Sequence, residues 1–234
     1  MKTPCRTGAH RAGVTALGTA MLVAAGHVAS YGLWRRWCVG WGATDAELRA
    51  GLPGDELLAN PGIITTRAVS ISAPPDSVWP WLVQMGPGRA GAYTYDWIEN
   101  LLGLNMHSTG AIIPELQDLS AGDSWQLGSH GPVLRVVRLE PARALVVRSD
   151  DGNWVWAFFL ASDAIGTRLI SRNRIASPAH GWPVDLVNRY LMEPGSLVME
   201  RKMLLGIKQR AERLGSDSVT QCPGVTQCPG APES

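Results

Sequence analysis

The sequence predicts an α+β fold: an antiparallel meander closed by one long C-terminal helix, with a membrane-spanning helix in front of it. Three observations carry this. Short β-branched and aromatic runs alternate with tight turn signals through the second half of the chain. A helix-periodic stretch, roughly residues 194–214, stops at Gly215, a residue suited to a left-handed terminator. Residues 13–34 contain no Asp, Glu, Lys or Arg, and about 20 apolar residues suffice to cross a bilayer core.

The N-terminal segment is bounded by Arg11 and by Arg35-Arg36, and His27 is its one ionisable side chain. Trp34, Trp37 and Trp41 cluster just past it, as interfacial anchors do. The reading is a single-pass membrane anchor. A cleaved signal peptide, with Val23-Ala24-Ala25 as a small-residue site, and a buried helix are its rivals. Basic residues lie on both sides of the span, so its orientation is open. The chain then divides into a tail and anchor (1–41), a linker with a short helix (42–60), a folded domain (61–214) and a disordered tail (215–234).

Thr44 and Glu47 form a capping-box pattern that starts the linker helix. In the first strand, about 63–72, Val69 and Ile71 alternate with Ala68, Ser70 and Ser72. Pro74 and Pro75 end the strand and suit a helix start, while Pro80 removes one hydrogen bond from the helix that follows. Five further strand runs cover about 124–128, 132–139, 144–148, 154–160 and 167–176. Turns such as Glu140-Pro141 and Asp150-Asp151-Gly152 separate them.

One block stands out. A Trp-rich helix signal, Val78-Trp79-Pro80-Trp81-Leu82-Val83, leads into Gln84-Met85-Gly86, then Gly88-Arg89-Ala90-Gly91-Ala92-Tyr93-Thr94-Tyr95-Asp96-Trp97. With the Ser72-Ala73-Pro74-Pro75 turn ahead of it, this block resembles the START-like, birch-pollen-allergen-like superfamily, which includes polyketide cyclases and lipid-transfer domains. The Gly-Arg-x-Gly-x-Tyr-x-Tyr-Asp-Trp pattern resembles one bacterial subgroup of it. The resemblance implies the helix-grip fold over about residues 60–214: a curved antiparallel sheet wrapped around the C-terminal helix, with a cavity between them.

Such a space is the usual form of a small-molecule site. Met199, Met203, Ile207, Ala211 and Leu214 share one stripe of the last helix, and Glu200 falls within it. A carboxylate there needs a partner, because an unpaired buried charge is costly. Arg168, Arg172 and Arg174 share one face of the last strand and supply the expected one, either as a structural pair or as a hook for a ligand head group. Trp154, Trp156, Phe158 and Leu160 share a face and form a candidate apolar wall. Tyr93, Tyr95, Asp96, Trp97, Glu99 and Asn100 supply polar tips on aromatic bodies at the expected cavity mouth, with Asp96 also a candidate helix cap, and Trp81 and Met85 from the helix before them join the candidate set. His107 stands alone, within reach of Glu115 or Asp118. The candidate ligand-binding set is therefore Trp81, Met85, Tyr93, Tyr95, Trp97, His107, Trp154, Trp156, Arg172, Met199, Glu200 and Met203.

A formal net charge of +1 argues against a nucleic-acid partner. The four cysteines, Cys5, Cys38, Cys222 and Cys228, have no metal-ligand spacing, so neither metal nor cofactor is expected. Serine-hydrolase, zinc-protease and phosphate-loop motifs are missing, and Gly86 to Gly91 follows a helix where a nucleotide loop follows a strand. The expected function is a membrane-tethered binding or transport domain for a small hydrophobic molecule of the lipid, polyketide or isoprenoid class. A cyclase- or dehydratase-like enzyme, with Tyr93, Tyr95, His107 and Glu200 as the residues to test, is the alternative. An interaction module with a filled core is the third.

Overall fold

The computed structural model describes residues 30–129, 131–164, 166–176 and 187–220. Residues 30–40 form helix α1. Helix α2 (Asp45–Arg49) follows, its first amides satisfied by the Thr44 and Glu47 side chains in the expected capping box. After a 3₁₀ turn at Asp55–Leu58, strand β1 (Ile63–Ile71) leads into helix α3 (Pro75–Val83), with Pro75 at its first turn and Pro80 inside it. Helix α4 (Asp96–Leu101) closes the glycine-rich segment. Strands β2 (Ser124–Gln126), β3 (Val133–Glu140), β4 (Ala144–Ser149), β5 (Trp154–Ser162) and β6 (Thr167–Ile175) form the meander. A π-helical turn at Asn188–Met192 feeds the last helix, α5 (Glu193–Thr220).

All six strands pair antiparallel in the order β1-β6-β5-β4-β3-β2. Neighbours in sequence pair through the meander, and β1 closes onto β6, the strand most distant from it in the chain. A register shift between Val136 and Arg138 adds twist and bend to β3. The inner face packs on α5: Ile71, Leu169, Leu160, Phe158 and Leu145 meet Met203, Leu204, Ile207 and Ala211 in one continuous core, with Trp81 and Leu82 of α3 along its side. This is the helix-grip architecture that the resemblance implies.

The outer face of β1 and β6 is covered by the segment after α1. Ala68 and Ile170 pack on Leu52. Arg172 donates to Thr66 Oγ1 (2.9 Å), the Ala50 carbonyl (2.7 Å), Asp55 (2.7 Å) and the Glu47 carbonyl (2.7 Å). Arg168 holds Glu47, and Arg174 holds the Leu58 carbonyl. The linker is thus bolted to the sheet by the three arginines of β6.

One expectation changes here. Helix α5 runs to Thr220 and does not stop at Gly215. A glycine inside a helix costs only about 1 kcal/mol, and no proline follows until Pro223, so the terminator signal is too weak to end it. The first residues of the tail expected to be disordered are accordingly helical, while 221–234, with Cys222 and Cys228, lie outside the described residues. No helix among the described residues is long and apolar enough to cross a membrane. The expected span, 13–34, lies outside them except for 30–34, which begin α1.

Candidate functional site

The stretch of α5 from Met203 to Ala211 is buried in the core, whereas its first turns border a gap. Small residues face the gap there, Gly195 and Ser196, and a cavity of about 550 Å³ opens between the sheet and the helix. Its sheet wall is one end of three adjacent strands, with Ile63 beside Ile175 beside Trp154 and Thr65 beside Asn173 beside Trp156. Its roof is Met199, Glu200 and Met203 of α5. Ile98 and Glu99 of α4, with Leu102 just past it, form one side, and Leu191 and Met192 close the end. The wall is predominantly apolar.

Polar groups on the sheet wall and roof engage one another. Arg67, fully buried, and Glu200, 7% exposed, form an ion pair beneath the first turns of α5. The Arg67 guanidinium also donates to the Cys38 carbonyl through Nε (3.1 Å) and Nη2 (3.0 Å), and to Ser196 Oγ (2.9 Å). It therefore joins α1, β1 and α5, and its charge complements the carbonyl end of α1. Glu200 accepts from Ser171 Oγ (2.6 Å) and from Asn173 Nδ2 (3.3 Å). Those two residues accept in turn from the tryptophans: Trp156 Nε1 donates to Ser171 Oγ (2.9 Å) and Trp154 Nε1 to Asn173 Oδ1 (2.8 Å). Burial pushes the Glu200 carboxyl above the usual carboxylate range, and Arg67 beside it offsets part of that rise. Both indole N–H groups point into this network, so the stacked rings, 5.6 Å apart, turn carbon surface to the cavity. Near the end of the cavity Glu193 takes Arg35 of α1 through both carboxylate oxygens, the shortest contact 2.8 Å.

Of the residues singled out in the sequence, Trp154, Trp156, Met199, Glu200 and Met203 line this cavity. The others do not. Trp81 and Met85 are core residues. Tyr93 is buried beside them, its hydroxyl donating to the Trp81 carbonyl and accepting from Gln84 Nε2, both at 3.0 Å, and burial pushes that hydroxyl up to about 12. Tyr95 lies at the surface under the Lys202 ammonium, and Trp97 is 70% exposed. His107 is exposed too. Asp96 does not cap α4; it accepts from the Ser108 amide (2.7 Å) and hydroxyl (2.6 Å), stitching the helix to the following loop. Arg172 is on the opposite face of the sheet, because β6 turns Ser171 and Asn173 inward and its arginines outward. The partner of Glu200 is accordingly Arg67 of β1, and not Arg168, Arg172 or Arg174.

Sequence reasoning missed Arg67, Thr65 and Thr94, and marked Glu99 only as one polar tip among several at the mouth. The period of two that places Val69 and Ile71 on the core face extends back to Arg67 and Thr65, so that signal was present for the first pair. Leu102, just past α4, and Leu191 and Met192, before α5, line the cavity and are exposed, and so are Trp97, Leu101 and Tyr190 beside them in the chain. Tyr190 packs on Tyr31 of α1 at 5.0 Å between ring centroids, and α1 carries exposed Leu33, Trp34 and Trp37 nearby in the chain.

No family model matches the chain, and no curated protein matches it by sequence. Solved structures are similar to it in fold. Protein MLL2253 from Mesorhizobium loti is 17% identical over 64% of this chain and 98% of its own, with a TM-score of 0.39. An AHSA1-like protein from Aeromonas hydrophila is 18% identical over 65% of this chain and 94% of its own, at 0.36. KanY protein is 16% identical over 64% of this chain and 97% of its own, at 0.41.

Proposed function

We propose that this protein binds a small apolar molecule between the sheet and α5, and does so while held at a membrane by the segment that precedes α1. The observation that carries the reading is a cavity of about 550 Å³ whose sheet wall and roof keep their charges and indole N–H groups satisfied among themselves. That volume lies within the roughly 300–1,000 Å³ of small-molecule sites, and carbon-rich walls favour an apolar occupant. The exposed Leu102, Leu191 and Met192 at the cavity, with exposed Trp97 and Leu101 beside Leu102 in the chain, support the membrane half of the reading, since exposed apolar groups of this kind mark contact surfaces. So does the uncharged stretch that runs into α1. A poorly soluble ligand would then pass from lipid to cavity with little exposure to water.

The four residues considered for catalysis do not converge: Glu200 lines the cavity, Tyr93 is enclosed in the core, and Tyr95 and His107 lie at the surface. Binding is therefore the reading favoured over turnover. Native mass spectrometry of full-length protein taken from membranes tests it. A co-purifying small molecule, absent from a Gly195→Trp variant that retains the parent's folding transition, is the expected result. Protein that carries no bound mass, and takes up no apolar probe when titrated, would overturn the reading.

A further inference from the structure

Eight polar side chains other than tryptophan line the cavity: Thr65, Arg67, Thr94, Glu99, Asn173, Glu193, Ser196 and Glu200. Six are engaged with one another or with Arg35: five as described above, and Thr65 by accepting from Asn173 Nδ2 (3.4 Å). The remaining two, Thr94 and Glu99, sit together on the α4 side. Glu99 is 6% exposed, yet its Oε2 is enclosed with no hydrogen-bond partner, and Thr94 Oγ1 is in the same condition. Burial raises the Glu99 carboxyl above its ordinary range, and a hydrogen-bonding approach from Thr94, whose geometry satisfies neither group, offsets part of that rise. Buried polar groups are almost always satisfied, and a pair that is not calls for an explanation. The fold supplies none. The other two carboxyls on the cavity wall each face an arginine, Glu200 with Arg67 and Glu193 with Arg35, whereas Glu99 faces no cation in any ion pair among the described residues.

We infer that Glu99 and Thr94 form the polar hook of this cavity, and that the ligand they select is a neutral apolar molecule carrying a single hydroxyl. This rests on the binding function proposed above and adds the ligand's chemistry to it. A carboxylate oxygen accepts and a threonine hydroxyl both donates and accepts, so a ligand hydroxyl, which does both, answers the two at once. An ammonium could donate to both groups as well, but its charge would have to be desolvated in a predominantly apolar cavity. A ligand carboxylate is disfavoured for a different reason. Both arginines at the cavity are already held by glutamates, so an acid would bring a second carboxyl to Glu99 with no cation to meet it.

The test uses full-length protein and three probes with one skeleton: naphthalene, 2-naphthol and 2-naphthoate, each titrated by calorimetry. Naphthol should bind about tenfold tighter than naphthalene, the gain of one well-formed buried hydrogen bond, and naphthoate should bind weakest. Glu99→Leu should abolish the preference, so that naphthol and naphthalene bind with equal affinity. Thr94→Val, nearly isosteric, should remove part of the naphthol preference and stands in if the glutamate variant does not fold. Equal binding of naphthol and naphthalene by the parent would mean that water fills the site, and would overturn the hook while leaving apolar binding intact. A preference that survives Glu99→Leu would overturn it as well. If no probe binds, the binding function fails and the hook fails with it.

Discussion

Breaking the Arg67–Glu200 pair from either side should give two different stability profiles. In Glu200→Gln the guanidinium keeps its bonds to Cys38 and Ser196, and the new amide oxygen can still accept from it. Breaking a buried pair costs roughly 3–5 kcal/mol. With those partners retained, the expected cost is about 2–3 kcal/mol, or a fall of about 4–12 °C in Tm for a domain of this size. The parent carboxyl, raised by burial, binds a proton that the unfolded chain has released, and the variant has no such group, so this cost is largest below about pH 4.5 and shrinks as pH rises through the parent's folded value. Arg67→Met leaves the glutamate instead, held by Ser171 and Asn173. Burial already raises its carboxyl above the ordinary 4.5, and losing the arginine that lowers it raises it further. The folded state then binds a proton that the unfolded state has released. The penalty is therefore smallest below about pH 4.5 and grows as pH rises through the folded value. Replacing both, as Arg67→Met with Glu200→Leu, should cost less than the two single changes together. Urea unfolding followed by tryptophan fluorescence between pH 4.5 and 8 measures all three. An Arg67→Met penalty that shrinks with rising pH, or a Glu200→Gln change under about 0.5 kcal/mol, would refute the reasoning.

Two further outcomes test the frame around the cavity. A methyl group on Gly206 would stand 2.7 Å from the Tyr93 carbonyl oxygen, so Gly206→Ala should destabilise by about 1–3 kcal/mol in urea, and an unchanged midpoint would show that α5 is not so close to the glycine-rich segment. Arg172→Met should cost about 2–4 kcal/mol by releasing the segment between α1 and β1, yet leave the naphthalene dissociation constant unchanged, because the sheet lies between that arginine and the cavity.

Much of this fold could be read from local rules. The Thr44–Glu47 capping box, the proline-led start of α3 and the five-strand run are encoded within a few residues each. The stripe on α5 also held, since Met203, Ile207 and Ala211 are fully buried in it and Glu200 needed an arginine as burial cost demands. What periodicity cannot supply is which face of a strand points inward. The three arginines of β6 looked like partners for Glu200, but small Ser171 and Asn173 take the inner positions because they accept from the tryptophans of β5. The aromatic block after α3 was harder still. Tyr93 and Trp81 are drawn into the core by a hydrogen bond between hydroxyl and carbonyl that joins residues twelve apart in sequence. Glu99 was visible as one polar tip among several, and only the packing of α4 against the cavity distinguishes it.

The bonds from Arg67 to the Cys38 carbonyl bear on mechanics as well as on stability. They make the last turn of α1 a bearing surface for the same guanidinium that holds Glu200, and Arg35 adds a second point of purchase at Glu193. A torque on α1 would be transmitted at both points to the first turns of α5, where that helix borders the gap. Swinging α1 outward would pull on Arg67 of β1 and, through Arg35, on Glu193 at the start of α5, and so shift the first turns of that helix over the gap beneath Ser196 and Met199. The angle at which α1 leaves the domain and the aperture of the cavity are thereby geared to each other.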